Sequence, residues 1–165
     1  GVTYTHSRFD NFPNAIVYRP FVASDTGASA QLVTLNGTPT YVGNFTNAAY
    51  DATGNALPKT PLWTMNLASS YAIPLSDGGR IVLAGDVFFS SNYWFNANNS
   101  YGTGDYSIVN LSAGWELPDG HLKLTAYVTN VGDTDLITYF NESASGTFAA
   151  WNRPRMFGVT LQYKL

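Results

Sequence analysis

The sequence predicts an all-β chain, an antiparallel up-and-down meander of about six strands that forms part of the wall of a transmembrane β-barrel. Three observations predict it. Charged residues make up only 12% of the 165, against 45% apolar and 15% aromatic, whereas a soluble domain carries about 25% charge. Several segments alternate apolar and polar residues over more than the roughly 9–11 positions that a tilted strand needs to cross a bilayer. Soluble strands usually stop at about five or six. Finally, the connections run long, tight, medium, tight, medium. In a meander that order puts every tight turn on one rim, as in outer-membrane barrels.

The same composition excludes other classes. A net charge of −3 without a basic run gives no electrostatic footprint for nucleic acid. With no cysteine there is neither a disulfide framework nor thiolate chemistry. No stretch approaches 18 apolar residues, so no membrane helix is expected, which leaves a membrane barrel open.

In chain order, residues 1–9 ("GVTYTHSRF") read as a first short strand. The chain is strand-like from its first residue, so a preceding N-terminal part is expected. Residues 10–61 form a long connection. Within it "QLVTLNGTPTYV" sets Asn36-Gly37 between two alternating runs, the signature of a type I′ hairpin. "SDTGAS" and "YDATGNALPKTP" are turn chemistry. The second strand, residues 62–75, puts Trp63, Met65, Leu67, Tyr71 and Ile73 on one face. After the tight turn "SDGG", the third strand, residues 80–95, puts Ile81, Leu83, Val87, Phe89 and Tyr93 on one face against Asp86, Ser90 and Asn92. A Gly/Asn loop leads to the fourth, residues 105–117, with Val109, Leu111, Ala113, Trp115 and Leu117 opposite Asn110, Ser112, Gly114 and Glu116. The tight turn "PDGH" precedes the fifth, residues 121–131, with Leu122, Leu124, Ala126 and Val128 opposite Lys123, Thr125 and Thr129. It is expected to resume at "LITYF" after a "GDTD" kink, and a loop at "NESASGTF" precedes the final strand. Trp63, Tyr71, Tyr93, Trp115 and Tyr163 fall near strand ends, where aromatic girdles mark the membrane interfaces.

Read together, "DATGNALPKTPLWTMNLASSY", "GRIVLAGDVFFSSNYWFN", "YSIVNLSAGWEL", "LTAYVTNVGDTDL" and "RPRMFGVTLQYKL" resemble the C-terminal part of a TonB-dependent outer-membrane receptor. The matching residues are Gly54, Leu57 and Pro61, then Asp86 and Tyr93, Asn110, Asn130 with Asp133, and Pro154-Arg155 with Gly158. The resemblance spans residues 50–165, and "SRFDNFPNA" at residues 7–15 matches a subset of the family less specifically. It implies a 22-stranded barrel with a plugged lumen. Residues 1–165 would be a C-terminal piece of about six strands, without the plug and most of the barrel. It also implies a Gram-negative outer-membrane location and TonB-powered import of a siderophore, a cobalamin or a carbohydrate. The implied partners are outer-membrane lipid, the rest of the barrel and its plug, the TonB complex (through the N-terminal part) and the barrel-assembly machinery. The alternatives are a passive porin-type channel and a soluble carbohydrate-binding β-sandwich.

Two groups of residues are candidates for function. Phe157, Val159, Leu161, Tyr163 and Leu165 form an alternating apolar ending. In the family such an ending is the barrel-assembly signal, usually closed by Phe, where Leu165 stands here. An ordinary edge strand is the alternative. Trp94, Phe95, Tyr101, Tyr139, Phe140, Phe148 and Trp151 fall in the outer loops, where aromatics can stack on a substrate or simply pack the loops. Pro154-Arg155 is read as the start of a strand, and Asn130 with Asp133 as a turn. Catalysis finds little support. His6 and His121 are far apart in sequence, and no nucleophile elbow is present. Asp86 and Glu116 share the polar face and are read as lumen polarity rather than as an acid pair. No ligand cluster has metal spacing, and no cofactor is expected.

Overall fold

The computed structural model describes residues 1–19, 31–42, 46–143 and 146–164. The "SDTGAS" turn and Leu165 lie outside them. Every regular element described is a strand: β1 (Val2–Tyr4), β2 (Ala15–Arg19), β3 (Gln31–Leu35), β4 (Thr38–Val42), β5 (Thr46–Tyr50), β6 (Trp63–Pro74), β7 (Arg80–Ser90), β8 (Tyr106–Glu116), β9 (Leu122–Thr129), β10 (Ile137–Ser143), β11 (Gly146–Trp151) and β12 (Met156–Tyr163). Six of them make one antiparallel sheet in the order β1-β6-β7-β8-β9-β12. The expected six-strand meander is therefore present, as an open sheet with β1 and β12 at its edges.

The alternating pattern sets the two faces. Across the ladders, Tyr71, Leu83, Ala113, Ala126 and Val159 fall in one row, and Ile73, Ile81, Trp115, Leu124 and Leu161 in the next row of the same face. This apolar face is open. Leu67 is 68% exposed, Tyr71 70%, Phe157 76% and Val159 69%, while only Ala15, Ala52 and Phe95 are buried apolar residues among those described. No second sheet packs against it among the described elements, which removes the β-sandwich alternative. An apolar face of this extent marks a surface that meets a membrane or another protein. Tyr4 and Trp63 pack at 4.8 Å at one end of the face. Trp115 lies toward the other end, ten residues along the ladder, in the row of Ile73. That is roughly 33 Å of strand, or about 25 Å of height at barrel tilt, the hydrocarbon band.

The opposite face is polar and hydrogen-bonded. Asp86 accepts from Asn110 Nδ2 at 2.8 Å. At the tight-turn end, the Arg80 guanidinium bonds both Glu116 oxygens, at 3.0 and 2.9 Å. Asp86 and Glu116 lie six positions apart on the ladder, roughly 20 Å, so they are not a catalytic pair. Tyr127 also lies on this face, opposite Gly158. A Cβ on Gly158 would lie 2.8 Å from Tyr127 Cε1 and closer still to Cζ and Oη. The Tyr127 ring thus covers a position that must lack a side chain.

The turns follow their sequences. Asn36 and Gly37 have φ of 50° and 80°, the two positive values of the expected type I′ turn, and β3 pairs with β4 around them. The 10–61 connection holds more structure than this one hairpin, because β2 and β5 also pair antiparallel. At its base the Phe9 carbonyl accepts from the Gly54 amide at 2.7 Å, with Gly54 at φ 83°. There the Thr53 hydroxyl and amide bond the Asp51 carboxylate and hold its pKa below the ordinary value. In the "PDGH" turn, bonds from His121, its backbone amide first, do the same for Asp119.

Two strand boundaries differ from expectation. The third strand stops at Ser90 rather than at residue 95, because after the Ser91 amide, which still bonds the Trp63 carbonyl at 2.9 Å, the amides leave the ladder. The Asn92 amide donates to Asp105 Oδ1 at 2.7 Å and the Tyr93 amide to Thr103 Oγ1 at 3.3 Å. Tyr93 is therefore a loop residue, just beyond the end of the strand. The second correction concerns "LITYF", which does not resume the fifth strand. It lies in β10 and pairs with β11 in a separate hairpin. The kink is a polar knot around Asn130 (φ 50°), which is 5% exposed. Asn130 Nδ2 donates to the carbonyls of Thr134 (3.0 Å) and Arg153 (3.2 Å), and Oδ1 accepts from the Thr134 amide at 2.9 Å. Its own amide donates to Asn110 Oδ1 at 3.0 Å. Asp133, also at positive φ, accepts from the Arg155 amide at 2.7 Å. Asn130, Asp133 and Arg155 are thus occupied in holding the turn.

Candidate functional site

The loop between β7 and β8 (residues 91–105) folds back on itself. The Phe95 amide donates to the Tyr101 carbonyl at 2.7 Å, and the Thr103 amide to the Tyr93 carbonyl at 2.9 Å. Asn96 caps its tip, Oδ1 accepting from the Ser100 amide at 3.1 Å. Gly102 is required, since a Cβ there would lie 2.6 Å from the Tyr93 carbonyl and 2.8 Å from Trp94 Cε3. Asn96 Nδ2 also donates to Glu142 Oε2 at 2.9 Å, which ties the loop to the β10–β11 hairpin.

Aromatic rings complete that junction. Phe95 stacks on Phe140 at 5.1 Å with planes 20° apart, and Tyr101 packs on the same ring at 5.0 Å. Tyr93 meets Phe95 edge-on at 5.4 Å. Burial, and then the neighbouring Tyr106, push the Tyr93 phenol above its ordinary pKa. Phe95 and Phe140 are therefore packing residues, and Trp94 covers Gly102.

Period-2 alternation puts the other aromatics of the hairpin elsewhere. Tyr139 pairs with Ala150 and Asn141 with Phe148, on the face opposite Phe140. Tyr139 is 54% exposed, Phe148 53% and Trp151 62%. Trp151 also lines a cleft of about 390 Å³ between the loop and the hairpin base, with Thr103, Asp105, Tyr106, Thr134 and Asp135. Asp105 and Asp135 were not singled out from the sequence, because each reads as a turn residue until the two loops meet. The cleft offers ring faces, hydroxyls and carboxylates to a ligand. Among the described residues no three His, Asp or Glu side chains are placed to hold a metal ion.

The C-terminal candidates lie at the far edge of the sheet. Phe157, Val159, Leu161 and Tyr163 all fall on the exposed apolar face. β12 pairs with β9 along its whole length and has no partner on its other side among the described strands.

Comparisons with known proteins agree with this geometry. The family described as TonB dependent receptor-like, beta-barrel, matches residues 2–131. The ferric yersiniabactin uptake receptor FyuA from Yersinia pestis is similar in structure, with a TM-score of 0.61 and 24% identity, over 72% of this chain and 18% of its own. BauA, the ferric preacinetobactin receptor from Acinetobacter baumannii, gives a TM-score of 0.55 and 14% identity, over 81% of this chain and 25% of its own. The chain thus spans a quarter or less of the length of either receptor. Among curated proteins, none matches the sequence.

Proposed function

We propose that this chain, which belongs to the TonB-dependent receptor-like β-barrel family, supplies barrel wall and ligand-facing loops to an outer-membrane receptor that captures a scarce nutrient and imports it with TonB-supplied energy. The observation that carries the reading is the open apolar face. It is a lipid-facing surface about one bilayer high, with the aromatic loop and hairpin beyond its Tyr4–Trp63 end. The family is one of receptors and transporters of the Gram-negative outer membrane.

Of the three nutrient classes, a ferric siderophore has the most support, because FyuA and BauA are each named as receptors for a ferric ligand. Tyr139, Phe148 and Trp151 are the contact residues we favour, since their rings are exposed and can pack on an apolar or aryl face of a chelate. Trp94, Phe95 and Phe140 are spoken for by packing. In this reading the closing edge of β12 pairs with the barrel's first strand, because an open edge in lipid would leave its backbone groups unsatisfied. The apolar ending that includes Phe157 and Tyr163 addresses the barrel to its assembly machinery.

The test is uptake of radiolabelled ferric siderophores by cells carrying the full-length receptor, with and without a functional TonB complex. Saturable, TonB-dependent uptake is expected, reduced by Trp151→Ala and Phe148→Ala but with surface levels kept. Uptake that persists without TonB and does not saturate would assign the porin-type channel instead.

A further inference from the structure

A second cleft, of about 300 Å³, lies between the segment that continues β1, the approach to β6 and the first residues of the 91–105 loop. Tyr4, His6, Ser7, Arg8, Asn92 and Trp94 are among its walls. It holds the Arg8 guanidinium and one unsatisfied hydroxyl. Among the described residues, neither Arg8 nor His6 has an ion-pair or side-chain hydrogen-bond partner. Ser7 Oγ is buried without a partner, the one such side-chain atom among the described residues. From the Asn92 side, Asp105 already accepts the Asn92 amide through Oδ1. The buried Ser7 hydroxyl without a partner is costly, and the exposed Arg8 side chain brings a guanidinium to the same cleft, so the cleft is suited to an oxygen-rich anion.

Its position says where that anion comes from. Tyr4 belongs both to the cleft wall and to the Tyr4–Trp63 ring pair that ends the apolar face. Rings of this kind sit at the boundary between hydrocarbon and headgroups. The cleft therefore opens at headgroup depth, where the abundant anion is lipid phosphate and basic pockets recognise it. Arginine suits the task because its planar fork matches phosphate oxygens.

We propose that the cleft of Tyr4, His6, Ser7, Arg8 and Trp94 is a phosphate-binding site that seats a lipid headgroup phosphate at the membrane boundary. It requires only that the apolar face lies in lipid, and does not depend on which nutrient is carried or on TonB coupling. The test uses the full-length receptor in nanodiscs of a phosphorylated glycolipid, or of a phosphate-free glycolipid, with native mass spectrometry of the bound lipid after detergent exchange. Wild type is expected to retain a phosphorylated lipid and no phosphate-free one. His6→Gln combined with Arg8→Gln is expected to weaken retention roughly tenfold, with heat modifiability of the barrel unchanged. Arg8→Lys, which keeps the charge but loses the fork, should fall between. If the double variant fails to assemble, Arg8→Lys and Ser7→Ala carry the comparison. Displacement of the lipid by millimolar inorganic phosphate would support the phosphate chemistry and identify a soluble source for it. Equal retention by wild type and variants, or retention of phosphate-free lipid, would overturn the proposal.

Discussion

The contact between Tyr127 and Gly158 makes a quantitative prediction about how β12 is held. A methyl group at Gly158 cannot coexist with the Tyr127 side chain where it lies, because Cε1 is 2.8 Å from the new Cβ and Cζ and Oη are closer. The ring must swing off the glycine. Overpacking of this kind costs about 1–3 kcal/mol. Against it stands the intrinsic gain of alanine over glycine in a strand, about 0.5–1 kcal/mol. Gly158→Ala should therefore destabilise the barrel by roughly 1 kcal/mol net. In a Tyr127→Ala background the obstruction is gone and only the gain remains, so the same substitution should stabilise by about 0.5 kcal/mol. The sign reverses between the two backgrounds. The assay is urea unfolding of the full-length receptor in lipid, followed by tryptophan fluorescence, for the four members of the cycle. Equal effects in both backgrounds, within the ~0.5 kcal/mol expected of independent sites, would refute the reasoning.

Three further predictions follow from other parts of the fold. Asn130→Ala removes three side-chain hydrogen bonds at a nearly buried position of positive φ, and should cost about 2–4 kcal/mol in the same unfolding assay, with Asn130→Gly milder because it keeps the backbone conformation. Leu111→Arg puts a charge on the lipid face and should cost about 2–4 kcal/mol, whereas Ser112→Arg on the polar face should be nearly neutral; equal losses in assembled barrel on gels would contradict the assignment of the faces. The pKa of Asp119 is depressed in the folded turn, so its contribution is complete above the unfolded carboxylate value of about 3.9 and is lost as the pH falls through the lower folded value. The His121 amide should therefore gain hydrogen-exchange protection as pH rises through that window in wild type, after correction for the intrinsic rate, and not in Asp119→Asn.

The sequence by itself determined the faces, the strand count of the main sheet and the type I′ hairpin, because each depends on short-range rules. A period of two assigns Leu83, Ala113 and Ala126 to one side whatever their neighbours do, and Asn36-Gly37 favours one turn type. The turn roles of Asn130 and Asp133 were legible for the same reason, as was the family resemblance, which lies in the order of such local signals. Only the tertiary structure decided which aromatics are free. Phe95 and Phe140 are 45 residues apart in the chain, and nothing local to either says that they stack while Tyr139, one residue from Phe140, faces the other way. The early end of β7 was equally hidden, because it depends on Asp105 and Thr103 capturing amides from across the loop. The cleft of Arg8 and Trp94, and the ring of Tyr127 over Gly158, likewise arise where segments distant in sequence meet. Contacts of that kind follow from how the ladders align the strands, and no pattern within a single strand encodes them.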